Sequence, residues 1–165
     1  TSSLLRKKFN MEDIINATLA GGVAIGASSG VVANLGISLT IGIIAGFVSN
    51  LAYVKLLEKV EHGFLGIHDT CGIHNLHGIP GLMGGLISAM VIASYQTWPG
   101  LDEAYLKYLT VVYEGRTFSG QAGIQVAATF MSIGIGIVFG LLAGAIIFTV
   151  YRHESQDFFD DKHYF

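Results

Sequence analysis

Four long apolar stretches constrain this chain more than any other feature of its sequence. A helix needs about 20 residues to cross the hydrocarbon core of a bilayer. Runs of that kind extend from about 14 to 33, 37 to 57, 71 to 94 and 121 to 150. The last is long enough to tilt or to project beyond the bilayer. A spanning β-barrel would alternate apolar and polar residues over about ten positions, and these runs do not alternate. Hydrophobic residues make up 52% of the chain and charged residues 13%, against about 25% charged in an ordinary soluble domain. The fold class expected is therefore an all-α membrane protein with four transmembrane helices, surrounded by membrane lipids. A net charge of −3, spread along the chain, argues against nucleic acid as a partner. The lone cysteine, Cys71, permits no internal disulfide.

The opening TSSLLRKKFN carries basic residues but no apolar segment of its own. A secretory signal peptide would pair its basic start with a short apolar region and a cleavage site, so the opening reads as a loop cut from something longer. Four spans put both termini on one side. Arg6, Lys7, Lys8, Lys55, Lys59, Arg152 and Lys162 fall on that side, and only Lys107 and Arg116 on the other. The excess of basic residues places the termini in the cytoplasm or an equivalent compartment. The loop from 95 to 120 then faces outward, and its Tyr95, Trp98, Tyr105 and Tyr108 suit an interfacial aromatic belt. Asn16-Ala17-Thr18 has the form of a glycosylation site, but it lies at the cytoplasmic end of a span.

Glycines recur at the four-residue spacing that lets helix backbones approach closely in lipid: Gly22, Gly26 and Gly30; Gly42 and Gly46; Gly81 and Gly85; Gly136, Gly140 and Gly144. Together they predict a tight bundle whose helices need further helices as neighbours.

The stretch GIHDTCGIHNLHGIPGLMGG, residues 66 to 85, concentrates the chemistry. On a continuous α-helix, at about 100° per residue, Asp69, Ile73 and His77 share one slowly drifting stripe. His68, Cys71, His74 and His77 step by three and diverge, so they do not converge as the four donors that zinc requires; no metal site and no cofactor is expected. His77 lies at intramembrane depth, where an ionisable side chain is costly and faces a cavity, a partner or a substrate path. A neutral histidine hydrogen-bonded inside the bundle is the plainer alternative. Pro80 marks a helix kink: it lacks an N–H and, in α register, leaves the carbonyl of Leu76 without its bond. Freed backbone of this kind is tolerated where it meets protein or water, which suits a pore lining. Nothing pairs a nucleophile with a base, and no enzyme activity is expected.

HDTCGIHNLHGIPGLMGG, with NATLAGGVAIG at residues 16 to 26, resembles the Rhesus branch of the ammonium transporter family, and the acidic, aromatic tail FFDDKHYF is similar to Rhesus tails. The resemblance covers essentially the whole chain and aligns it with the last four of the family's eleven or twelve helices. It implies a trimer in which each protomer holds a narrow hydrophobic pore for ammonia, with ammonium recruited and deprotonated at the entrance. By the resemblance His77 corresponds to one of two histidines facing each other across the pore. Asp69 corresponds to an aspartate near the cytoplasmic end of the same helix, and Ile73 to an apolar wall residue. His74 and Asn75 are expected at a helix contact or a vestibule.

The family's first half, with the partner histidine, is absent from these 165 residues. Transporters built from repeats place the substrate path between them. Three explanations stay open: the chain is part of a longer polypeptide, the missing half is a separate chain, or a truncated relative serves as a non-transporting structural subunit. The function implied by the resemblance is channel-type passage of ammonia or ammonium, with methylammonium or carbon dioxide as further candidates, this chain supplying the C-terminal half of the pore.

Overall fold

The computed structural model describes residues 7, 9–56, 69, 72–95 and 116–151. Among them the regular structure is helical, with no strand. Helix α1 spans Met11–Ser28, α2 Leu35–Lys55, α3 Ile79–Ser94 and α4 Phe118–Val150, and a π-helical turn, His74–Gly78, leads directly into α3. Among the described residues three segments are long and apolar enough to cross a membrane: Leu35–Lys55, His74–Ser94 and Phe118–Val150. Helix α1, at 18 residues with Glu12 and Asp13 in its first turn, is shorter and more polar than the span expected over 14 to 33.

Side chains the apolar runs leave out set the helix boundaries. Asn10 caps α1, its Oδ1 accepting from the Glu12 N–H at 3.0 Å, so the helix starts three residues before the apolar run. Asn34 caps α2 in the same way, accepting from the N–H groups of Gly36 at 2.8 Å and Ile37 at 3.3 Å. These side chains satisfy donors that have no partner inside the helix. Helix α1 stops early, at Ser28, in a Ser-Ser-Gly sequence where the N–H groups of Val31 and Val32 both turn back to the Ser28 carbonyl.

The chain divides into two compact units, residues 1–129 and 130–165. In the first, α1 packs against both α2 and α3. The core is built from small residues: Ala24 and Ala45 lie fully buried beside Ile41, with Ile25, Val32, Ile37, Met83 and Ile87 around them. Backbones approach where glycine permits it. A Cβ on Gly46 would come within 2.7 Å of the Ala17 carbonyl oxygen, and one on Gly84 would collide with the Ala24 carbonyl oxygen and the Ala27 methyl group. Lipid tails are as apolar as leucine, so this close contact, rather than exclusion of water, holds such helices together.

The spaced glycines sort unevenly. Gly46 and Gly85 do sit at close contacts, Gly85 against Thr129, but Gly22, Gly26, Gly30 and Gly42 would each meet nothing within 4 Å through an added Cβ. Gly21, which would press against the Gly42 carbonyl at 3.0 Å, and Gly84 carry the approach instead. Neighbouring residues point about 100° apart on a helix, so a small-residue pattern read one position out of phase selects the wrong face.

Tyrosines tie the two ends of the first unit. At one end the Tyr53 hydroxyl donates to Glu12 Oε1 at 2.9 Å, joining the end of α2 to the start of α1. At the other end the Tyr95 hydroxyl donates to the Val31 carbonyl, and the Tyr95 ring meets Phe118 edge to face at 6.2 Å. Helix α4 begins in this unit, with Gln121 buried and Arg116 Nη1 donating to its Oε1 at 3.1 Å. The second unit holds the rest of α4, where Phe130, Met131, Phe139 and Leu141 are exposed. The other residues singled out in the sequence, Arg6, Lys8, Lys59, His68, Cys71, Trp98, Tyr105, Lys107, Tyr108 and 152–165, lie outside the described residues.

Candidate functional site

The histidine-rich segment does not begin as a continuous α-helix, and this corrects the stripe expected for Asp69, Ile73 and His77. Gly72 adopts a left-handed conformation, φ +65°, which L side chains adopt only at a cost, and it separates Asp69 from the helix that follows. Asp69 is the cap of that helix. Its Oδ1 accepts from the Ile73 N–H at 2.8 Å and its Oδ2 from the His74 N–H at 2.9 Å, while its carbonyl accepts from the Gly72 N–H at 3.3 Å. A carboxylate across two free N–H groups at a positive helix end is favourable on both hydrogen-bonding and electrostatic grounds. The Gly72 backbone lies against the Tyr53 ring, so the space a side chain would need there is taken.

The first full turn is a π turn. The Ile79 N–H bonds to the His74 carbonyl, five residues back instead of four, and single π turns within helices are frequent at functional sites. His74 and His77 are both exposed, and Ile73 is 57% exposed. Asn75 turns the opposite way and is 1% exposed. Of the pair expected at a helix contact or vestibule, Asn75 is therefore buried between helices, whereas His74 lies open beside Gly78.

The wider turn also corrects the consequence expected of Pro80. In α register its missing N–H would orphan Leu76; with bonds running five residues back, the carbonyl facing Pro80 belongs to Asn75. That carbonyl accepts instead from the Ser49 hydroxyl on α2, at 2.7 Å. Next to it, Asn50 Nδ2 donates to the Asp13 carbonyl at 3.4 Å. Asp13, Ser49, Asn50 and Asn75 are all buried, so a polar seam joins the start of α1, the C-terminal part of α2 and the π turn.

This seam was missed in the sequence, although a signal existed. Ser49 and Asn50 form a polar pair inside an apolar run, and polar side chains at such positions turn toward protein or cavity. Asp13 lies just outside the run expected to span, and so did not stand out. Asp69, Ile73 and His77 are linked through a cap and a π turn rather than along one helical face, with Gly72 between them against Tyr53.

Residues 1–164 match the model of the Ammonium Transporter Family. Relatives include Ammonium transporter Rh type C of Xenopus laevis, 39% identical over 99% of this chain and 36% of the relative. Ammonium transporter Rh type A of Mus musculus is 42% identical over 86% of this chain and 27% of the relative. Ammonium transporter Rh type B of Oryzias latipes is 38% identical over 85% of this chain and 30% of the relative. The chain spans between 27% and 36% of the length of these curated relatives.

Proposed function

This chain belongs to the Ammonium Transporter Family and is an integral membrane protein, and we propose that it supplies the C-terminal half of a path for ammonia or ammonium across a membrane. His77 is the residue on which that role rests. The supporting observation is the π turn that opens a span-length apolar helix and leaves His77 and Ile73 exposed, while Ser49, Asn50 and Asn75 behind it are buried. An imidazole on an apolar wall offers a polar contact to a small base or its cation while the wall discourages hydrated ions. The remaining wall comes from sequence outside these 165 residues, whether in the same polypeptide or a second one. The complete assembly is a trimer with the termini of this chain on the cytoplasmic side.

Asp69 acts in this reading through its charge near one end of the path and through its cap on the helix that carries His77. Both roles disappear together in an alanine variant. Asp69→Asn separates them in part, because an amide oxygen still accepts one backbone N–H while the charge is gone. Carbon dioxide, being neutral, is insensitive to that charge.

The test is stopped-flow uptake of methylammonium into liposomes carrying the complete assembly. His77→Ala is expected to reduce uptake by at least about tenfold, the change that follows from losing roughly 1.4 kcal/mol of interaction along the path. Asp69→Asn is expected to reduce methylammonium uptake and leave carbon dioxide uptake unchanged. Uptake unaltered by His77→Ala would remove this reading. It would leave the chain as a structural subunit, a role favoured by the open glycine positions Gly136, Gly140 and Gly144.

A further inference from the structure

Hydroxyl side chains in apolar helices ordinarily bond back to their own helix, and this chain follows that habit at most positions. Thr18 donates to Ile14, Ser28 to Ala24, Thr40 to Gly36, Ser88 to Gly85 and Thr129 to Gln125. Ser49 departs from it. Its hydroxyl leaves α2 and donates to the carbonyl of Asn75, 26 residues along the chain, at 2.7 Å, with both residues 1% exposed.

The position of the acceptor explains why. The Ile79 N–H is committed to His74, and the next N–H along would come from Pro80, which has none. A carbonyl buried at that point without a donor costs free energy comparable to a lost hydrogen bond. Nor does the turn hold itself through its own buried side chain: neither amide atom of Asn75 has a hydrogen-bond partner among the described residues. Ser49 is thus the group that supplies the donor Pro80 removes, and it does so from a neighbouring helix.

We propose that Ser49 is a positioning residue for His77. Its hydroxyl stands in for the missing Pro80 N–H, stabilises the five-residue register of the π turn and so sets the direction in which the His77 ring, two residues beyond Asn75, meets the open side. Without that hydroxyl the narrower α register is favoured, in which Ile79 is the donor to Asn75 and the carbonyl left without a donor is that of the half-buried Leu76 instead of the buried Asn75. Restoring that register shifts His77 around the helix relative to Ser88 and Ile92. The proposal rests on the transport reading for its kinetic consequence but not for its structural one.

The experiment uses the full chain in its complete assembly, with methylammonium as the transported probe and isotopically labelled histidine as the structural one. The His77 ring signal is identified by its loss in His77→Ala. Ser49→Ala is expected to lower methylammonium uptake about tenfold, in line with the loss of one buried bond, to displace the pH profile of uptake, and to shift or split the His77 ring signal. Adding Pro80→Ala gives the α register a donor for Leu76 as well, and the double variant is expected to give a single His77 signal, displaced from that of the unaltered chain, with no recovery of uptake. Should Ser49→Ala fail to accumulate, Ser49→Cys, close in size but a weak donor, is judged by the same criteria. An unchanged His77 signal in the Ser49 variant overturns the proposal. If His77→Ala leaves uptake untouched, the transport reading fails, and the ring signal alone decides whether Ser49 positions His77.

Discussion

The helices of the first unit and the long tail of α4 share a vocabulary and use it differently. Both are apolar, and both repeat glycine every four residues. In the first unit, Gly21, Gly46 and Gly84 bring backbone against backbone, and Ala24 and Ala45 are fully buried. Along α4, Gly136, Gly140 and Gly144 face open space, and Leu141, Ile146 and Ile147 are more than 60% exposed. Small-residue spacing is therefore a permission for close approach and not evidence of it. What distinguishes the two regions is polar: Ser49, Asn50, Asn75 and Asp13 knit α1, α2 and the π turn, whereas the Thr149 hydroxyl donates to Ile146 within its own helix.

The largest expected effect that tests this contrast comes from Gly84→Val. Its side chain would meet the Ala24 carbonyl and the Ala27 methyl, and overpacking of that kind costs about 1–3 kcal/mol or more, visible as a lower melting temperature of the intact protein in detergent. Gly72→Ala should cost about 1–2 kcal/mol for its left-handed conformation, with a further penalty from the Tyr53 ring. Asp69→Asn, which keeps an acceptor for one of the two capped N–H groups, should cost about 1 kcal/mol, measured as faster amide exchange at Ile73 and His74. Gly140→Ala should be smallest, within about 0.5 kcal/mol of neutral. A loss at Gly140 as large as that at Gly84 in the complete assembly would erase the contrast and show that α4 presses another helix there.

Much of the architecture was legible because hydropathy is a length measurement. Apolar runs located four helices, and successive spans must alternate in direction: the Tyr53–Glu12 bond shows α1 and α2 antiparallel, and the Tyr95–Val31 bond joins the like ends of α1 and α3. The ends were less legible. Asn10 and Asn34 are polar, so a search for apolar runs discards the residues that start the helices. Phase was not legible either: Gly21 and Gly22, or Gly84 and Gly85, differ by one position in sequence and by which neighbour they meet.

At the candidate site the residue types were readable and their geometry was not. His77 and Asp69 announce themselves by charge and depth. The sequence Asp-Thr-Cys-Gly, with glycine three residues after aspartate, carried a hint of a cap followed by a break, and counting along an assumed continuous helix overrode it. No composition signals a hydrogen bond five residues back instead of four. That choice depends on Pro80 withholding a donor and on Ser49 arriving from another helix, a coincidence that only the folded chain displays.

The π turn has one more implication, for insertions and deletions. It carries one residue more than the same stretch of α-helix would need, so removing a single residue between 73 and 78 would let the backbone close into ordinary α pitch. Everything upstream, Gly72 and the Asp69 carboxylate included, would then keep its phase relative to Ser88 and Ile92, whereas the same deletion inside the regular part of α3 would swing it by about 100°. A one-codon deletion in this segment should thus damage the fold less than one a turn or two later in α3, its cost falling on the aim of His77 and on the Ser49 bond rather than on the whole end of the helix.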